Sequence, residues 1–183
     1  MHIKAGQVLS KHTLKDGTDV TLRAPRMEDL DDLLEYINSL VKENAMILMK
    51  KPIKRDVEAR WLANSLVEIE TGKSVYVTAE ANGKVVANGS ISFKDGKESH
   101  VCGLGIAISK GYRDVGLGTI IMKELVRQAK KFGKKLIVLE VFDSNPRAKH
   151  VYEKVGFREV GRIPKKLFYG GKYHAAVQMA KEI

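Results

Sequence analysis

The sequence predicts an α/β fold in which a mixed sheet carries helices on its faces. Two dipeptides, Asp16-Gly17 and Asn82-Gly83, lie between segments rich in β-branched residues, and each predicts an antiparallel hairpin. Other segments place apolar residues at helical spacing. Residues 100–142 read as a strand, a helix and a second strand, which is the order of a parallel crossover. Hairpins early in the chain and a crossover later imply a sheet of mixed direction.

The predicted elements follow one another in the order ββαα, βββ, α, β, α, ββ. Pro25 ends the first hairpin, and the helix after it has Leu30, Leu33 and Ile37 at helical spacing with acidic residues in its first turns. Gly72 marks the end of the second helix. The predicted ranges are 8–24 for the first hairpin, 27–44, 55–71, 116–132 and 146–155 for the helices, and 74–81, 84–93, 100–109, 135–142, 157–163 and 173–180 for the other strands.

Between the first two helices lies an apolar run, Met46 to Met49, which Pro52 closes. Such a run either lines a binding groove or forms a buried turn, and we favour the buried turn. The two alternatives differ in whether these side chains are covered by the rest of the protein or face an opening.

Length and composition are those of one globular domain. The 183 residues are 44% hydrophobic and 30% charged, and we expect a single domain over 1–183 whose residues 1–17 form an N-terminal extension or hairpin. No apolar run approaches the ~18 residues of a membrane-spanning helix, and residues 1–7 lack the apolar stretch of a signal peptide. The single cysteine, Cys102, fits a reducing cytosol. We therefore expect a cytoplasmic protein without a membrane partner.

The net charge is strongly positive. Lys and Arg number 32 and Asp and Glu 22, which gives a formal charge of +10. This excess favours an anionic partner such as nucleic acid, a membrane surface or a phosphate-rich small molecule, without distinguishing among them.

One stretch, residues 106–119, indicates a phosphate-binding turn. It reads as a strand, a short turn and a helix that begins in a glycine-bearing loop. Gly116 and Gly118 allow backbone N–H groups to approach a ligand, and the first turn of a helix offers unpaired donors and a positive dipole end. An ordinary glycine-rich turn explains the two glycines equally well. A P-loop and a Rossmann fingerprint are excluded, because no Gly-Lys-Ser/Thr follows and no third glycine completes Gly103-Leu104-Gly105.

The pattern Arg113-x-x-Gly116-x-Gly118 resembles the pyrophosphate loop of the GNAT superfamily, the N-acetyltransferases that use acetyl-CoA. Residues 139–157, with an asparagine, a tyrosine and a Gly-Phe pair, resemble the second motif of that superfamily, and residues 168–180 are similar to its terminal hairpin. The order of elements also matches. The resemblance implies one N-acetyltransferase domain with a mostly antiparallel sheet, in which the parallel pair of strands 100–109 and 135–142 splays apart.

The resemblance also implies where acetyl-CoA binds. The pantetheine arm pairs with one splayed strand, and amides of the loop hold the pyrophosphate. Asn145 contacts the cofactor arm, caps the helix that begins at Pro146, or does both. Arg147 and Lys149 are candidates for the 3′-phosphate of CoA. The strand and loop residues assigned to the cofactor are Ile106, Ala107, Ile108, Arg113, Asp114, Val115, Gly116, Leu117, Gly118 and Thr119.

Two residues are candidates for proton transfer. By the resemblance, Tyr152 protonates the departing CoA thiolate, and the alternative is a packed aromatic on an amphipathic helix. Glu140 lies in an apolar strand, where burial would raise its pKa and make it a base for the acceptor amine. Its alternative is a structural ion pair or an outward-facing side chain. Tyr152 follows Glu140 by twelve positions, which is similar to the spacing in ribosomal-protein and N-terminal acetyltransferases.

The implied reaction is direct attack of a primary amine on the thioester in a ternary complex. The acceptor is a protein N-terminus, a lysine or a small amine, and the alternative function is a non-catalytic CoA-binding regulatory or nucleic-acid-associated module. We expect no metal site, no direct nucleic-acid binding, and a monomer or homodimer. One CoA site does not require ten surplus charges, so the excess reflects either general surface chemistry or attraction to an acidic acceptor.

Overall fold

The computed structural model describes residues 3–183, and Met1 and His2 of the expected N-terminal extension lie outside the described residues. Eight strands form one sheet in the order β1-β2-β3-β4-β5-β6-β8-β7. The strands are β1 Val8–Thr13, β2 Asp19–Arg23, β3 Ser74–Ala81, β4 Lys84–Phe93, β5 Val101–Ile108, β6 Leu136–Phe142, β7 Arg158–Tyr169 and β8 Lys172–Glu182, and the helices are α1 Leu30–Lys42, α2 Arg55–Glu70, α3 Leu117–Lys131 and α4 Pro146–Lys154.

The expected mixed sheet is confirmed. Within the described residues one strand pair, β5 with β6, is parallel, and all other pairs are antiparallel. The parallel pairing extends over three positions and ends where Gly103 faces Val138. Beyond that point β5 stays beside β4 as far as Ile108, whereas β6 stays beside β8 as far as Phe142. The two parallel strands therefore diverge toward their carboxyl ends.

Helices cover both faces of the sheet. A Cβ added to Gly89 would lie 2.9 Å from Ile121 and 3.0 Å from Leu125, so α3 packs directly on β4. On the other face the Trp61 ring of α2 meets Tyr76 edge-on, with centroids 5.7 Å apart. Tyr76 is the cross-strand partner of Ser90, the residue after Gly89. Cross-strand partners lie on the same face of a sheet and successive residues lie on opposite faces, so α2 and α3 pack on opposite faces.

The local turn predictions are confirmed, whereas the last hairpin is longer than expected. Asn82 and Gly83 both have positive φ, at 51° and 72°, as a tight hairpin turn requires. Strand β7 continues past Pro164 to Tyr169, because the proline lies in an edge strand beside an irregularity in the pairing with β8.

The prediction of a buried turn at Met46 to Met49 is wrong. The α1–α2 loop, residues 43–54, runs across an opening at one end of the sheet, and its Leu48 is 77% exposed. Residues 45–47 line a cavity, which is the alternative reading of this run. The loop is held by the Asn38 side chain, which accepts from the Ile53 amide at 2.7 Å and donates to its carbonyl at 3.0 Å. Ala45 and Ile47 pack against the core between α1 and α2, whereas Leu48 and Met49 are exposed.

Candidate active site

A cavity of about 1200 Å³ opens where β5 and β6 diverge. Its walls are the end of β5, the loop from Ser109 to Gly116, the first turns of α3 and α4, and the α1–α2 loop. The β1–β2 hairpin closes one side, because the Lys15 amide donates to the Val115 carbonyl at 3.2 Å. The cavity therefore joins five separate parts of the chain, which are residues 13–15, 40–47, 106–123, 144–154 and Tyr169.

The loop before α3 has a left-handed backbone at two positions. Asp114 and Gly116 have positive φ, at 66° and 95°, and α3 begins directly after Gly116. No side chain caps this helix start, so its first N–H groups lack intrahelical partners and Gly118 and Thr119 line the cavity. A Cβ on Gly118 would lie 3.3 Å from Ile108, which shows how closely α3 approaches β5.

The cavity contains more cationic side chains than the sequence motifs identify. Arg113 donates to the Ile108 carbonyl at 2.8 Å and pairs with Glu43, so it ties the end of β5 to the end of α1. Arg147 lines the cavity and pairs with the exposed Asp114 at 3.2 Å. The residues that sequence reasoning missed come from several elements and are Lys15, Lys110, Lys123 and Lys154.

Lys149 does not line the cavity, so its predicted role in binding the cofactor is corrected here. Its ammonium lies 3.1 Å from Glu159 on β7. The pKa of Glu159 is lowered to about 2 by Arg162 and, secondarily, by Lys149. Successive residues turn by about 100° around a helix, so Arg147, His150 and Lys154 face the cavity while Lys149 faces β7.

The three β5 residues expected beside the pantetheine arm differ in their backbone bonds. The Ala107 carbonyl accepts from the Tyr36 hydroxyl at 2.8 Å, and the Ile108 carbonyl accepts from Arg113. The Ser109 amide donates to a carbonyl of β4. Because backbone groups alternate in direction along a strand, the N–H and C=O of Ala107 point toward β4, whereas those of Ile106 and Ile108 point toward the gap beside β6. Ile106 therefore presents both backbone groups to the gap.

Asn145 and Tyr152 occupy the start and the inner face of α4. The Asn145 side chain accepts from the Ala148 amide at 3.1 Å, which is the expected helix cap, and the residue also lines the cavity. Tyr152 lines the cavity, is 8% exposed and packs near Phe157 with centroids 6.3 Å apart. Burial raises the pKa of Tyr152 to about 12, so the phenol keeps its proton at neutral pH.

The expected burial of Glu140 is wrong. Its side chain is 41% exposed and lies 2.6 Å from the Lys166 ammonium, which is the ion-paired, outward-facing alternative. Its neighbours Leu139 and Val141 are buried, and alternation along β6 places Glu140 on the opposite face of the sheet. Glu140 does not line the cavity.

A second carboxylate, Glu58, has no counterpart among the predicted site residues. It is 7% exposed on the inner face of α2, and it has no hydrogen bond or ion pair to any residue of 3–183. Burial raises its pKa. Burial also raises the pKa of Tyr36, and the Glu58 carboxylate adds to that rise. Sequence reasoning missed Glu58 because it lies in a charged run at the start of a helix, where an exposed position is expected.

Glu58→Gln should change how stability depends on pH. A carboxyl whose pKa is raised by folding stabilises the protein below its unfolded pKa, and that contribution is lost as the pH rises through the folded pKa. We therefore expect the melting temperature of the wild type, relative to the variant, to fall as the pH rises above 4.5. The exposed Glu70 of the same helix gives the matched control, Glu70→Gln, and curves of equal slope for both variants would contradict the prediction.

A comparison with known protein families identifies the family of this chain. The model described as "Acetyltransferase (GNAT) family" matches residues 39–157, which is more than half of the 183 residues. The chain belongs to the GNAT acetyltransferase family. The resemblance drawn from the loop and from the Asn145–Tyr152 segment is thereby confirmed, because both motifs lie inside the match. The splayed parallel pair that the GNAT resemblance implies is also present.

Three relatives illustrate the range of the GNAT family. YwnH of Bacillus subtilis, which bears a provisional phosphinothricin acetyltransferase name, is 23% identical over 166 residues, 90% of this chain and 99% of its own. The [ribosomal protein bS18]-alanine N-acetyltransferase of Haemophilus influenzae is 38% identical over 76 residues, 39% of this chain and 50% of its own. A phosphinothricin acetyltransferase from Sinorhizobium meliloti, solved with acetyl-CoA, superimposes with a TM-score of 0.77 at 20% identity, covering 90% of this chain and 88% of that one.

Three further findings concern the GNAT domain as described over residues 3–183. No group of three or more His, Cys, Asp or Glu side chains is arranged to hold a metal ion. No helix is long and apolar enough to cross a membrane. Cys102 is buried, and burial raises the pKa of its thiol to about 11, which suits the expected apolar role.

Proposed function

We propose that this protein transfers the acetyl group of acetyl-CoA to a primary amine, which is a protein N-terminus, a lysine or a small amine. The observation that supports the proposal best is the cavity itself. It combines an uncapped helix start for a pyrophosphate, a diverging strand edge for an extended arm, and a buried neutral phenol. The amine attacks the thioester directly, within a complex that contains both substrates. We also propose a cytoplasmic location, in line with the single buried cysteine.

The residues of the cavity fit acetyl-CoA. The amides of residues 114–119 would hold the pyrophosphate, and the gap-facing backbone of Ile106 and Ile108 would pair with the pantetheine arm. Arg147, as first expected, and Lys154, in place of Lys149, would reach the 3′-phosphate. The Ser144 hydroxyl supports a ligand at this position, because it is buried beside the cavity without a hydrogen-bond partner among the described residues.

Three side chains are the proposed candidates for proton transfer. As the new C–N bond forms and the C–S bond breaks, Tyr152 gives its proton to the departing thiolate. The amine proton goes to a carboxylate, and we propose Glu140, reached through water because the side chain lies outside the cavity. Glu58 is the second candidate, because it lies on the helix layer that covers the β3–β4 region and has no cationic partner within residues 3–183.

Release of free CoA thiol measures the proposed reaction. The purified protein is given acetyl-CoA with a panel of N-terminal peptides, lysine peptides and small amines, while calorimetry measures CoA binding. We expect CoA to bind and at least one acceptor class to release thiol above the rate of hydrolysis. Binding of CoA without thiol release from any acceptor would instead support the non-catalytic CoA-binding module.

Gly118→Val should weaken CoA binding without unfolding the protein. A branched side chain at this position would force the start of α3 away from Ile108 and Val151. Overpacking of this kind costs about 1–3 kcal/mol. Because the cost falls on the loop assigned to CoA, we expect the affinity for CoA to fall by roughly tenfold, which corresponds to 1.4 kcal/mol. Gly118→Ala should have a smaller effect. The control is Gly111→Ala, because a Cβ there would have no neighbour within 4 Å. Equal CoA affinity for all three variants would refute the assignment of this loop.

A further inference from the structure

Two segments meet at the opening on the α1/α2 side of the sheet. One is residues 46–55 of the α1–α2 loop and the start of α2, and the other is residues 160–173 of the β7–β8 hairpin. The Lys50 ammonium lies 5.0 Å from the Phe168 ring centroid, which brings the two segments together. Met46 and Ile47 from the first and Tyr169 from the second also line the cavity. The space between the two segments therefore opens into the cavity.

Charge is distributed very unevenly in these segments. Neither segment contains an Asp or a Glu, and together they contain eight Lys or Arg residues. Three of the eight pair with carboxylates elsewhere, through Arg55 with Asp31, Arg162 with Glu159 and Lys166 with Glu140. The other five are exposed and form no ion pair within residues 3–183, and we call them the basic rim: Lys50, Lys51, Lys54, Lys165 and Lys172.

Apolar side chains are exposed among these lysines. Leu48 is 77% exposed, Tyr173 is 68% exposed and Phe168 is 47% exposed. The Phe168 and Tyr173 rings are in edge-on contact, with centroids 5.2 Å apart. Exposed aromatic and aliphatic side chains next to unpaired charges are typical of a surface that binds another molecule.

We propose that the acceptor amine belongs to an acidic peptide segment, in which Asp or Glu residues and apolar side chains follow the reacting amine. This inference rests on the proposed acetyl transfer. A small amino acid needs one or two cations for its carboxylates, whereas the basic rim offers five on two segments that flank the opening. Like charges on the rim repel basic peptides and attract acidic ones during encounter.

The basic rim also accounts for part of the net charge of the chain. Its five unpaired lysines carry five positive charges, which equals half of the formal net charge of +10. They lie in the two segments at the opening rather than in the phosphate-binding loop. Of the two explanations left open by the sequence, attraction to an acidic acceptor is therefore the one that this surface supports.

The experiment compares three peptides of equal length and identical first residue. Positions 2–6 are acidic, neutral or basic, and kcat/KM is measured from thiol release at two salt concentrations. We expect the acidic peptide to be preferred over the neutral one by about tenfold at low salt, with the basic peptide slowest and the preference reduced at high salt. Equal rates for the acidic and basic peptides would overturn the inference and leave the proposed function intact.

Charge-reversal variants locate the effect. Lys51→Glu, Lys54→Glu and Lys172→Glu combined should lose the preference for the acidic peptide and keep CoA affinity. The matched control combines three exposed lysines at the opposite end of the sheet that form no ion pair within residues 3–183, as Lys97→Glu, Lys130→Glu and Lys135→Glu. If both triple variants behave alike, the basic rim does not choose the acceptor.

Other occupants give distinct results in the same assay. Faster turnover of small anionic amino acids than of any peptide would overturn the inference, and so would stronger inhibition by a single-stranded oligonucleotide than by polyglutamate of equal charge. Binding of CoA with no turnover of any peptide or amine would contradict the proposed function itself. Failure of the inference and failure of the function are therefore distinguishable.

Discussion

Tyr152→Phe should lower kcat by about 10²-fold or more, which is the usual contribution of a positioned general acid. The phenylalanine keeps the ring that packs near Phe157 inside the cavity and removes only the hydroxyl. Because burial raises the pKa of this phenol to about 12, the hydroxyl is a proton donor and not a base at neutral pH. The binding of acetyl-CoA should change little, so the loss should appear in kcat rather than in affinity.

Two comparisons separate an acid from a packing residue. An acetyl-CoA analogue with a more acidic thiol needs less protonation of its leaving group, so the variant should recover most of its rate with this donor. Tyr76→Phe removes a hydroxyl that bonds Glu68 on α2, away from the cavity, and should keep wild-type turnover. A Tyr152→Phe enzyme with full activity, or one whose defect is the same for both donors, would exclude the acid role.

The sequence predicts those parts of the molecule that depend on neighbours in the chain. The Asn82-Gly83 turn and the Asn145 cap each follow from the backbone preferences of two or three adjacent residues. The element order then indicates the mixed sheet, because hairpins produce antiparallel neighbours and the crossover through α3 produces the parallel pair. These features also bring most residues of the phosphate-binding loop into the cavity.

The errors concern the orientation of single side chains and contacts between distant segments. Glu140 and Lys149 lie in correctly predicted elements, and each differs from the expectation only in which face of the strand or helix it occupies. A strand places successive side chains on opposite faces, and the choice between the faces is made by packing that the local pattern does not contain. Lys15 and Glu43 reach the cavity from the N-terminal third of the chain, beyond the range of any motif.

Helix α1 contacts both the end of β5 and the loop that precedes α3. Tyr36 bonds the Ala107 carbonyl, and Glu43 at the end of the same helix pairs with Arg113 behind the phosphate-binding loop. The α1–α2 loop that bears part of the basic rim begins at Glu43. The start of this loop is therefore held beside the cavity by two polar contacts of α1.

Arg23→Ala should destabilise the fold by about 3–5 kcal/mol, which is the typical cost of removing one partner of a buried ion pair. The guanidinium and the Asp29 carboxylate are both 3% exposed, and two bonds of 2.6 and 2.7 Å join them. Arg23 also donates to Glu80 on β3 at 2.8 Å, so it connects β2, the start of α1 and β3. Alanine would leave the buried Asp29 carboxylate with the half-exposed Arg26, 3.4 Å away, as its remaining cationic partner.

The free energy of unfolding from urea titrations tests this prediction, and an exposed pair provides the control. Arg55 pairs with Asp31 at 2.7 Å, but both side chains are more than half exposed, so Arg55→Ala should cost at most about 1 kcal/mol. The double variant Arg23→Met with Asp29→Leu should be more stable than Arg23→Ala, because neither buried charge remains. If Arg23→Ala costs no more than Arg55→Ala, the buried carboxylate is not the source of the effect. If the double variant is as unstable as the single one, the contribution of Arg23 lies in its bond to Glu80.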